Sequence, residues 1–248
     1  MNAKYDKIGR SYRGTRQPDP RIEAQLLKRI GGARQVVNIG AGAGSYEPDN
    51  CSLVAVEPSQ VMLRQRPSGA APAVQAVAER LPFKTGSFDL AMSVLSLHHW
   101  SDWRKGVAEA LRVANGRFVT LTWIGFPNGF WLTDYFPEIY TIDAPQFPSI
   151  EEYEDVLGEL SVDVVPIARD CIDGFLCAYW CRPEAYLDAQ VRNGMSTFSI
   201  LPNVDAGISR LKDDLSSGRW HDKNRALLEH DSYDFGYRII SCRAQAGA

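Results

Sequence analysis

The chain has 248 residues, of which 45% are hydrophobic, and its formal net charge is −3. This length suits one large domain, or one core with an insertion, and the hydrophobic share allows a sizeable core. The slight negative charge and the lack of a basic run argue against nucleic acid as a partner, so a small-molecule partner is expected. No apolar stretch reaches the length of a membrane span, and residues 1–6 lack the apolar core of a signal peptide, so no membrane partner is expected.

The five cysteines are irregularly spaced and form no Cys-x-x-Cys pair. Spacing of this kind favours reduced thiols in a cytoplasmic protein over a disulfide framework or a thiolate metal site. We therefore expect a cytoplasmic location and no metal. The sequence does not indicate an oligomeric state.

Strands and helices alternate through residue 122. Asp19-Pro20 predicts a helix start, and the apolar spacing that follows continues to Gly31-Gly32. Short apolar runs predict strands at 36–39, 53–56, 73–77, 88–94 and 118–122, with helices at 59–65 and 102–113. Alternation of this kind is typical of a parallel sheet with helices on both faces.

The glycine-rich turn after the first strand predicts a cofactor pocket. The turn reads Gly40-Ala41-Gly42-Ala43-Gly44, and the next strand ends in the acid Glu57. Glycines let the backbone approach a ligand closely, and an acid at the tip of the second strand accepts hydrogen bonds from ribose hydroxyls. Such sheets bind ligands at the carboxyl ends of their strands.

The spacing of the turn helps to choose the cofactor. The glycines alternate and lack the third small residue that opens the phosphate-binding helix of a dinucleotide site. Glu47 would bring negative charge near a pyrophosphate, and no lysine or arginine close by in sequence offsets it. S-adenosylmethionine (SAM) carries a ribose and an adenine but no phosphate, so it is the expected cofactor.

The pattern changes after residue 122, where residues 123–150 are rich in aromatics and prolines. Ser149 and Glu152 form a capping-box pattern that opens a helix to about residue 160. A sixth strand is predicted near 162–166, helical patches at 183–190, 208–215 and 223–228, and a final strand at 235–241. We expect one domain with three parts: a flap and helix (1–34), a cofactor-binding core (35–122), and substrate-side lid elements with the final strands (123–248).

Several motifs in residues 1–122 together resemble those of the class I SAM-dependent methyltransferases, especially the small-molecule branch near the ubiquinone and menaquinone biosynthesis methyltransferases. The motifs that carry the resemblance are Asn38-Ile39-Gly40-Ala41-Gly42-Ala43-Gly44, Val56-Glu57-Pro58-Ser59 with Met62, Ala78-Glu79-Arg80-Leu81-Pro82-Phe83, Ser87-Phe88-Asp89, Leu97-His98-His99-Trp100, and Leu111-Arg112-Val113 before Gly116-Arg117-Phe118. Beyond residue 122 the likeness is only general.

The resemblance implies an α/β, Rossmann-like fold with a seven-stranded, mostly parallel sheet, helices on both faces, and a last strand that inserts antiparallel. The lid or cap would belong to the C-terminal half. The cofactor-binding residues that it implies are Gly40, Ala41, Gly42, Glu57, Pro58, Met62, Ala78, Glu79, Leu95 and Ser96. Glu57 would hold the ribose hydroxyls, Met62 would pack on the adenine, and Leu95 with Ser96 would line the sulfonium side.

Two residues depart from the family pattern. Asn38 stands where the family usually has an acid, and it keeps the hydrogen-bonding shape without the charge. Val77 stands where the family usually has an aspartate that accepts from the adenine amino group, so Glu79 is the alternative acceptor.

The segment before the first predicted helix resembles the flap that many relatives fold over SAM. In that interpretation Tyr5 and Tyr12 close the pocket, and Arg13 pairs with the cofactor carboxylate. An ordinary surface segment is the alternative.

Methyl transfer is an in-line displacement, so the protein mainly aligns the nucleophile and excludes water. His98 and His99 are the candidate catalytic bases, needed only for a weakly acidic nucleophile such as a phenol, enol or amide. Alternatively, either histidine stabilises the conformation of the loop and takes no part in catalysis. His221 is a weaker candidate, and Asp170 with Asp173 could bind a polar substrate or cap turns.

The aromatic segment is expected to shape the acceptor pocket, and ordinary core packing is the alternative for each of its residues. The candidate substrate-binding residues are Trp123, Phe130, Trp131, Tyr135 and Phe136.

The sequence therefore predicts an enzyme that transfers a methyl group from SAM to an O, N or C atom of a small aromatic or hydrophobic metabolite. The alternatives are a SAM-binding protein without methyl transfer, an NAD(P)-dependent oxidoreductase, and an RNA methyltransferase, which the composition disfavours.

Overall fold

The computed structural model describes residues 16–242 and contains a seven-stranded sheet with the order β3-β2-β1-β4-β5-β9-β6. Its strands are β1 (Gln35–Ile39), β2 (Ser52–Val56), β3 (Ala73–Val74), β4 (Leu90–Val94), β5 (Phe118–Trp123), β6 (Leu160–Val164) and β9 (Tyr237–Cys242). Strands β1 to β5 run parallel, and β9 inserts antiparallel between β5 and β6. Short strands β7 (Ile167–Ala168) and β8 (Ser232–Tyr233) pair separately. The expected seven-stranded fold with an antiparallel last strand is confirmed.

The helices of the described chain flank this sheet and fill its long connections. They are α1 (Pro20–Ile30), α2 (Gln60–Leu63), α3 (Trp103–Val113), α4 (Glu138–Asp143), α5 (Ile150–Leu157), α6 (Ala189–Asn193), α7 (Val204–Ser216), α8 (Arg219–Lys223) and α9 (Arg225–Leu228). Turns of 3₁₀ helix occur at Leu97–His99, Trp131–Asp134, Ala144–Gln146, Pro183–Leu187 and Ser196–Ser199.

The helix starts follow the capping residues seen in the sequence. The Asp19 side chain accepts from the Arg21 N–H at the start of α1, and Asp102 accepts from the Lys105 N–H at the start of α3. The capping box of Ser149 and Glu152 at the start of α5 has both of its hydrogen bonds. Each cap satisfies N–H groups that the first helical turn leaves unpaired.

Successive side chains of β1 pack into two hydrophobic cores on opposite faces of the sheet. Val36 packs in the cluster that contains Leu26 of α1, whereas Val37 packs in the cluster that contains Val107 and Ala110 of α3. This period of two explains why β1 is apolar at Val36, Val37 and Ile39, because both of its faces are covered.

Several predicted bounds were wrong at their ends. The third strand stops at Val74 instead of residue 77, so that Val77 lies outside the sheet at a cavity wall. The fourth strand begins at Leu90, because the Asp89 carboxylate accepts from the N–H groups of Arg34 and Gln35. The helix expected to reach residue 160 ends at Leu157, and Leu160 already pairs in β6.

The segments after β5 and between β7 and β8 form a helical cap (residues 124–149 and 169–231). The cap meets the carboxyl ends of β4 and β5, where Leu95 and Trp123 share a cavity with cap residues such as Phe147 and Phe175. Within residues 16–242, no helix combines the length and the apolar character that a membrane crossing requires.

Candidate cofactor and acceptor site

A cavity of about 280 Å³, which we call the cofactor cavity, opens at the carboxyl ends of β1, β2 and β4. The sequence-predicted residues that line it are Gly40, Ala41, Gly42, Glu57, Pro58, Met62, Ala78, Glu79, Leu95 and Ser96. They are all of the predicted cofactor-binding residues within 16–242. Tyr5, Tyr12 and Arg13 lie outside the described residues.

The turn after β1 requires glycine at its first position. Gly40 has φ +73°, and a Cβ added there would lie 2.4 Å from Ser96 Oγ. The N–H groups of Gly40 and Ala41 both donate to the carbonyl of Val56, at 2.8 and 3.0 Å. These bonds fold the turn back onto the end of β2 and leave the bare backbone facing the cavity.

Glu57 ties the end of β2 to the glycine turn. Its Oε2 accepts from the Gly42 N–H and its Oε1 from the Ser59 N–H, each at 2.8 Å. The residue is 5% exposed and lines the cofactor cavity. A carboxylate has lone pairs beyond these two bonds, so it can also accept from the hydroxyls of a ribose.

Glu79 lies at the side of the cavity where an adenine is expected. Its Oε1 accepts from Ser101 Oγ at 2.8 Å and from the Asp102 N–H at 3.0 Å. Burial acts to raise the pKa of Glu79, but these hydrogen bonds outweigh it, and the net pKa is lowered. Glu79 is therefore an ionised acceptor at neutral pH, beside the apolar Val77 and Met62.

The expectation that no basic residue offsets Glu47 was wrong. Arg66 donates to both carboxylate oxygens of Glu47, at 2.9 and 2.7 Å, and both side chains are largely buried. Arg66 follows α2 and is 19 positions away from Glu47 in sequence, so only the folded chain brings them together. Glu47 also accepts from Asn38 Nδ2 at 3.1 Å.

A second cavity of about 70 Å³, which we call the acceptor cavity, adjoins the first and shares Arg16 and Leu95 with it. Its lining is largely aromatic and aliphatic with a few polar side chains. The residues are Arg16, Leu95, His98, Trp123, Asp143, Gln146, Phe147, Phe175, Leu176, Gly194, Met195, Ser196, Thr197, Ile200 and Tyr237.

Leu95 forms the boundary between the cavities in an unusual backbone conformation. Its φ is +47°, in the left-handed region that side chains other than glycine rarely adopt. Its N–H still donates to the carbonyl of Leu121 at 2.8 Å, which continues the pairing of β4 with β5. Strain of this kind is common where a fold holds a side chain at a functional site.

Arg16 is the second residue shared by both cavities, and the sequence analysis did not identify it. Its Nε donates to Asp173 Oδ1 at 2.5 Å, and the Tyr46 hydroxyl donates to Asp173 Oδ2 at 2.9 Å. Asp173 is therefore the partner of Arg16 and Tyr46. Asp170 is exposed and pairs with Arg21 at 2.6 Å.

The two adjacent histidines lie on different cavities. His98 lines the acceptor cavity and His99 the cofactor cavity, with their ring centroids 3.7 Å apart. The His98 ring also stacks on Phe147 at 4.1 Å. His221 is exposed on α8, beside Trp220, and lines neither cavity.

The predicted aromatic acceptor pocket needs correction. Trp123 lines the acceptor cavity, but four other predicted residues line neither cavity: Phe130, Trp131, Tyr135 and Phe136. They are buried in the core of the cap, where Trp131 makes edge-on ring contacts with Tyr186 and Trp220. The Trp131 indole N–H donates to the carbonyl of Trp180 at 2.8 Å, so the ring is a packing element.

The acceptor cavity contains residues that no sequence motif identified. Asp143 and Gln146 come from the chain at and after α4, Phe175 from the cap, and Tyr237 from β9. Burial raises the pKa of Tyr237 well above its usual value. These residues come from separate parts of the chain and meet only in the folded protein, so they form no sequence motif. Residues 16–242 contain no cluster of three or more His, Cys, Asp or Glu side chains suited to a metal ion.

Comparison with known proteins identifies the family. A family profile described as "Methyltransferase domain" matches residues 37–120. The crystal structure of a putative methyltransferase from an antibiotic biosynthesis pathway of Anabaena variabilis is 31% identical, with a TM-score of 0.85. That match covers 92% of this chain and 98% of the other. The chain belongs to the class I SAM-dependent methyltransferases. The family assignment sets the oxidoreductase alternative aside.

Two curated relatives extend the comparison. The 2-methyl-6-phytyl-1,4-hydroquinone methyltransferase 2 of Oryza sativa is 31% identical over 131 residues, which are 48% of this chain and 36% of that one. The uncharacterized methyltransferase YcgJ of Bacillus subtilis is 28% identical over 172 residues, 64% of this chain and 60% of that one. The chain thus spans well under half of the hydroquinone methyltransferase it matches.

The cofactor of this methyltransferase family is SAM, and the cofactor cavity fits it. Gly40 and Gly42 give a bare backbone cradle that side chains would fill, and Glu57 provides a buried acceptor at the end of β2. Asn38 also lines the cavity, and its Oδ1 is buried and accepts no hydrogen bond within the described part of the chain.

Proposed function

We propose that this methyltransferase moves a methyl group from SAM to an oxygen, nitrogen or carbon atom of a small aromatic or hydrophobic molecule in the acceptor cavity. One observation carries the proposal: the cofactor cavity and a second cavity with aromatic, aliphatic and polar lining meet at Leu95 and Arg16. Two ligands that occupied these cavities would have adjoining ends, as a direct displacement at carbon requires.

When bound, SAM supplies a methyl group on a positively charged sulfonium, which is already a strong electrophile. In our proposal the backbone of Gly40 and Gly42 contacts its methionine part, Glu57 accepts from its ribose, and Met62 packs on its adenine. The main work of the protein is then to align the acceptor atom and exclude water. Leu95 and the aromatic walls of the acceptor cavity suit both tasks.

Proton removal depends on the acceptor. His98 lines the acceptor cavity, so in our proposal it takes the proton of a phenol, enol or amide acceptor. A neutral amine or a thiolate needs no base. His99 lies on the cofactor cavity, and we assign it to the position of the loop.

The polar residues of the acceptor cavity would orient the acceptor. Asp143 is buried and accepts from Thr197 Oγ1 at 2.8 Å. Gln146 lines the same cavity, and its Nε2 donates to the carbonyl of Ile142 at 2.7 Å. The aromatic rings of Trp123 and Phe147 give flat apolar walls, and they can also stabilise a cationic group. A compact ring with one or two polar substituents matches this lining and the volume of about 70 Å³.

The comparisons support the substrate class at a general level. The curated relatives from rice are named for a hydroquinone, which is aromatic and carries ionisable hydroxyls. In our proposal Tyr5 and Tyr12 close the site, Arg13 pairs with the cofactor carboxylate, and the protein functions in the cytoplasm. The five cysteines are free thiols, which supports a reducing compartment.

Calorimetry with SAM and S-adenosylhomocysteine tests the cofactor assignment. We expect micromolar binding to the wild type, at least a tenfold loss in Glu57→Ala, and no change in Asp49→Ala, whose side chain is exposed. Labelled SAM incubated with a panel of phenols, amines and enols then tests transfer. Binding without a labelled product from any acceptor would favour the SAM-binding alternative, and no binding would reject the proposal.

A further inference from the structure

Two short 3₁₀ turns of the cap meet at the acceptor cavity. One follows α4 and ends at Gln146, and the other begins at Ser196. A buried hydrogen bond of 2.8 Å joins them, because the Thr197 hydroxyl of the second turn donates to Asp143 Oδ2 at the start of the first. Gln146 and Ser196 both line the acceptor cavity. The bond therefore holds two neutral polar side chains, one from each turn, at the same cavity.

The end of α4 fixes the direction of the Gln146 amide. Asp143 precedes the first turn and Gln146 ends it three positions later, and side chains three positions apart eclipse each other in a 3₁₀ helix. The two side chains therefore extend to the same side, and both line the cavity. Gln146 Nε2 donates to the carbonyl of Ile142 at 2.7 Å. A carbonyl only accepts hydrogen bonds, so the NH₂ group faces Ile142 and Oε1 is turned away from it.

Both residues keep a polar atom open to a ligand. Gln146 and Ser196 are partly exposed. Among residues 16–242, neither Gln146 Oε1 nor Ser196 Oγ has a hydrogen-bond partner, and neither atom is fully buried. Asp143 differs from them, because its carboxylate already accepts from Thr197. The cavity therefore offers an amide oxygen and a hydroxyl that a bound molecule can reach.

These two atoms restrict the chemistry of the group that they can bind together. An amide oxygen only accepts hydrogen bonds, whereas a serine hydroxyl can donate or accept. A hydroxyl group of a ligand can donate to Gln146 and accept from Ser196, so both atoms are satisfied. A carboxylate would place its negative charge against the Gln146 oxygen. An ammonium would exchange its hydration for two uncharged partners, which is unfavourable for a charge.

We propose that Gln146 and Ser196 form a subsite for a hydroxyl group of the acceptor that is not itself methylated. The hydroxyl donates to Gln146 Oε1 and accepts from Ser196 Oγ. Neither residue lines the cofactor cavity, whereas Leu95 and Arg16 line both cavities, so the subsite belongs to the acceptor cavity alone. The acceptor is then a small ring with two polar positions, one that takes the methyl group and one that the subsite holds. The inference rests on the proposed function and narrows its substrate class.

Four phenols that differ only in their 4-substituent test the chemistry of the subsite. They are 4-(hydroxymethyl)phenol, its apolar isostere 4-ethylphenol, the cationic 4-(aminomethyl)phenol, and the anionic 4-hydroxybenzoate. Each is titrated by calorimetry into wild type saturated with S-adenosylhomocysteine, so that no methyl transfer occurs. Two neutral hydrogen bonds should make 4-(hydroxymethyl)phenol bind about twentyfold more tightly than 4-ethylphenol. It should also bind more tightly than either charged phenol.

Substitutions then test each residue of the subsite. Gln146→Leu and Ser196→Ala should each weaken 4-(hydroxymethyl)phenol about fivefold and leave the affinity for 4-ethylphenol close to that of wild type. The double variant should bind the two phenols about equally. Gln190→Leu is the matched control, because Gln190 is exposed on α6 and lines neither cavity. It should keep the full preference for the hydroxyl.

A loss of structure must be separated from a loss of recognition. Gln146→Leu also removes the hydrogen bond to the Ile142 carbonyl, so circular dichroism and thermal unfolding check that each variant folds. If Gln146→Leu does not fold, Ser196→Ala decides, because Ser196 Oγ has no partner in the described part of the chain. The 4-ethylphenol titration is a second check, since a distorted cavity would weaken both phenols equally.

Two outcomes would overturn the inference. One is a preference for 4-(hydroxymethyl)phenol that wild type lacks or that the double variant keeps. The other is tighter binding of a charged phenol, which for the cation would assign recognition to Asp143. If wild type does not bind S-adenosylhomocysteine, the cofactor assignment of the proposed function fails. If it binds S-adenosylhomocysteine but none of the four phenols, the proposed acceptor class fails together with this inference. If the phenols bind without the preference, only this inference fails.

Discussion

Arg16 and Asp173, which are 157 positions apart in sequence, form a largely buried ion pair with Nε and Oδ1 2.5 Å apart. The Tyr46 hydroxyl donates to the other oxygen of Asp173, so the carboxylate joins the glycine turn, the cap and Arg16. Arg16 lies on both cavities, and this network therefore holds the wall that they share.

Loss of the Asp173 carboxylate should destabilise the protein strongly. In Asp173→Ala the Arg16 guanidinium loses a buried ion-pair partner, and removal of one member of such a pair costs about 3 kcal/mol or more. We expect a fall of that size in the free energy of unfolding, measured in urea. Asp170→Ala is the matched control in the same segment, because its pair with Arg21 is solvent-exposed. Similar losses in the two variants would contradict this account.

Gly40→Ala should abolish cofactor binding. The residue has φ +73°, and the new Cβ would lie 2.4 Å from Ser96 Oγ and 2.7 Å from Ser96 Cβ. The left-handed conformation and the overpacking together cost about 3 kcal/mol. We expect a lower melting temperature and loss of S-adenosylhomocysteine binding by calorimetry.

The matched control for this glycine is Gly32→Ala. Gly32 is exposed, and a Cβ built there meets no atom within 4 Å. The melting temperature of Gly32→Ala and its affinity for S-adenosylhomocysteine should equal those of wild type. Normal binding by Gly40→Ala would show that the turn can relax, and that its glycine is not needed for the cradle.

The sequence predicted the fold, and the residues it named after β1, β2 and β4 line one cavity, because both depend on local patterns. Residues that are close together in sequence determine each of these features: the alternation of strands and helices, the helix caps at Asp19 and Ser149, and the turn at Gly40. Several ends of elements were wrong, as at Leu157, where Gly158 with φ +73° ends the helix and β6 begins at Leu160. Helix α4 and the short strands β7 and β8 were not predicted.

The acceptor side could not be predicted in the same way. Trp131 and Trp123 look alike in sequence, and both are buried, but one lies in the core of the cap and the other on the acceptor cavity. The same limit applies to Glu47, whose charge is offset by an arginine 19 positions away. The periodicity of apolar residues predicts which side chains are buried, but it does not predict which residues or cavities they contact.

Trp131→Leu should destabilise the cap without changing cofactor affinity. The ring contacts Tyr186 and Trp220 and donates to the carbonyl of Trp180, so its loss leaves a cavity and an unpaired carbonyl. We expect the free energy of unfolding to fall by about 3 kcal/mol. The dissociation constant of S-adenosylhomocysteine should stay within twofold of wild type.

An exposed aromatic residue of the same segment provides the control for this substitution. Tyr140 is 54% exposed, and Tyr140→Leu should leave stability unchanged within error. If Trp131→Leu instead kept full stability and lost acceptor turnover, Trp131 would belong to the acceptor site after all.

The start of α1 should make stability depend on acid pH. Burial acts to raise the pKa of Asp19, but hydrogen bonds from the Arg21 side chain and backbone and from the Ile172 N–H outweigh it and lower the pKa from 3.8 to about 2. Because the folded-state pKa lies below the unfolded one, the carboxylate stabilises the fold above about pH 4. That contribution, about 2 kcal/mol, disappears as the pH falls from 4 to 2.

Urea unfolding of wild type and Asp19→Asn between pH 2 and 7 measures the contribution of the Asp19 carboxylate to the free energy of unfolding. Asparagine keeps the capping oxygen but does not titrate, so helix α1 retains its start while the acid-dependent contribution is removed. We expect the difference in unfolding free energy between the two proteins to be constant above pH 4 and to shrink toward pH 2. A difference that stays constant over the whole range would mean that the pKa of Asp19 is not lowered by its partners, and that its role is capping alone.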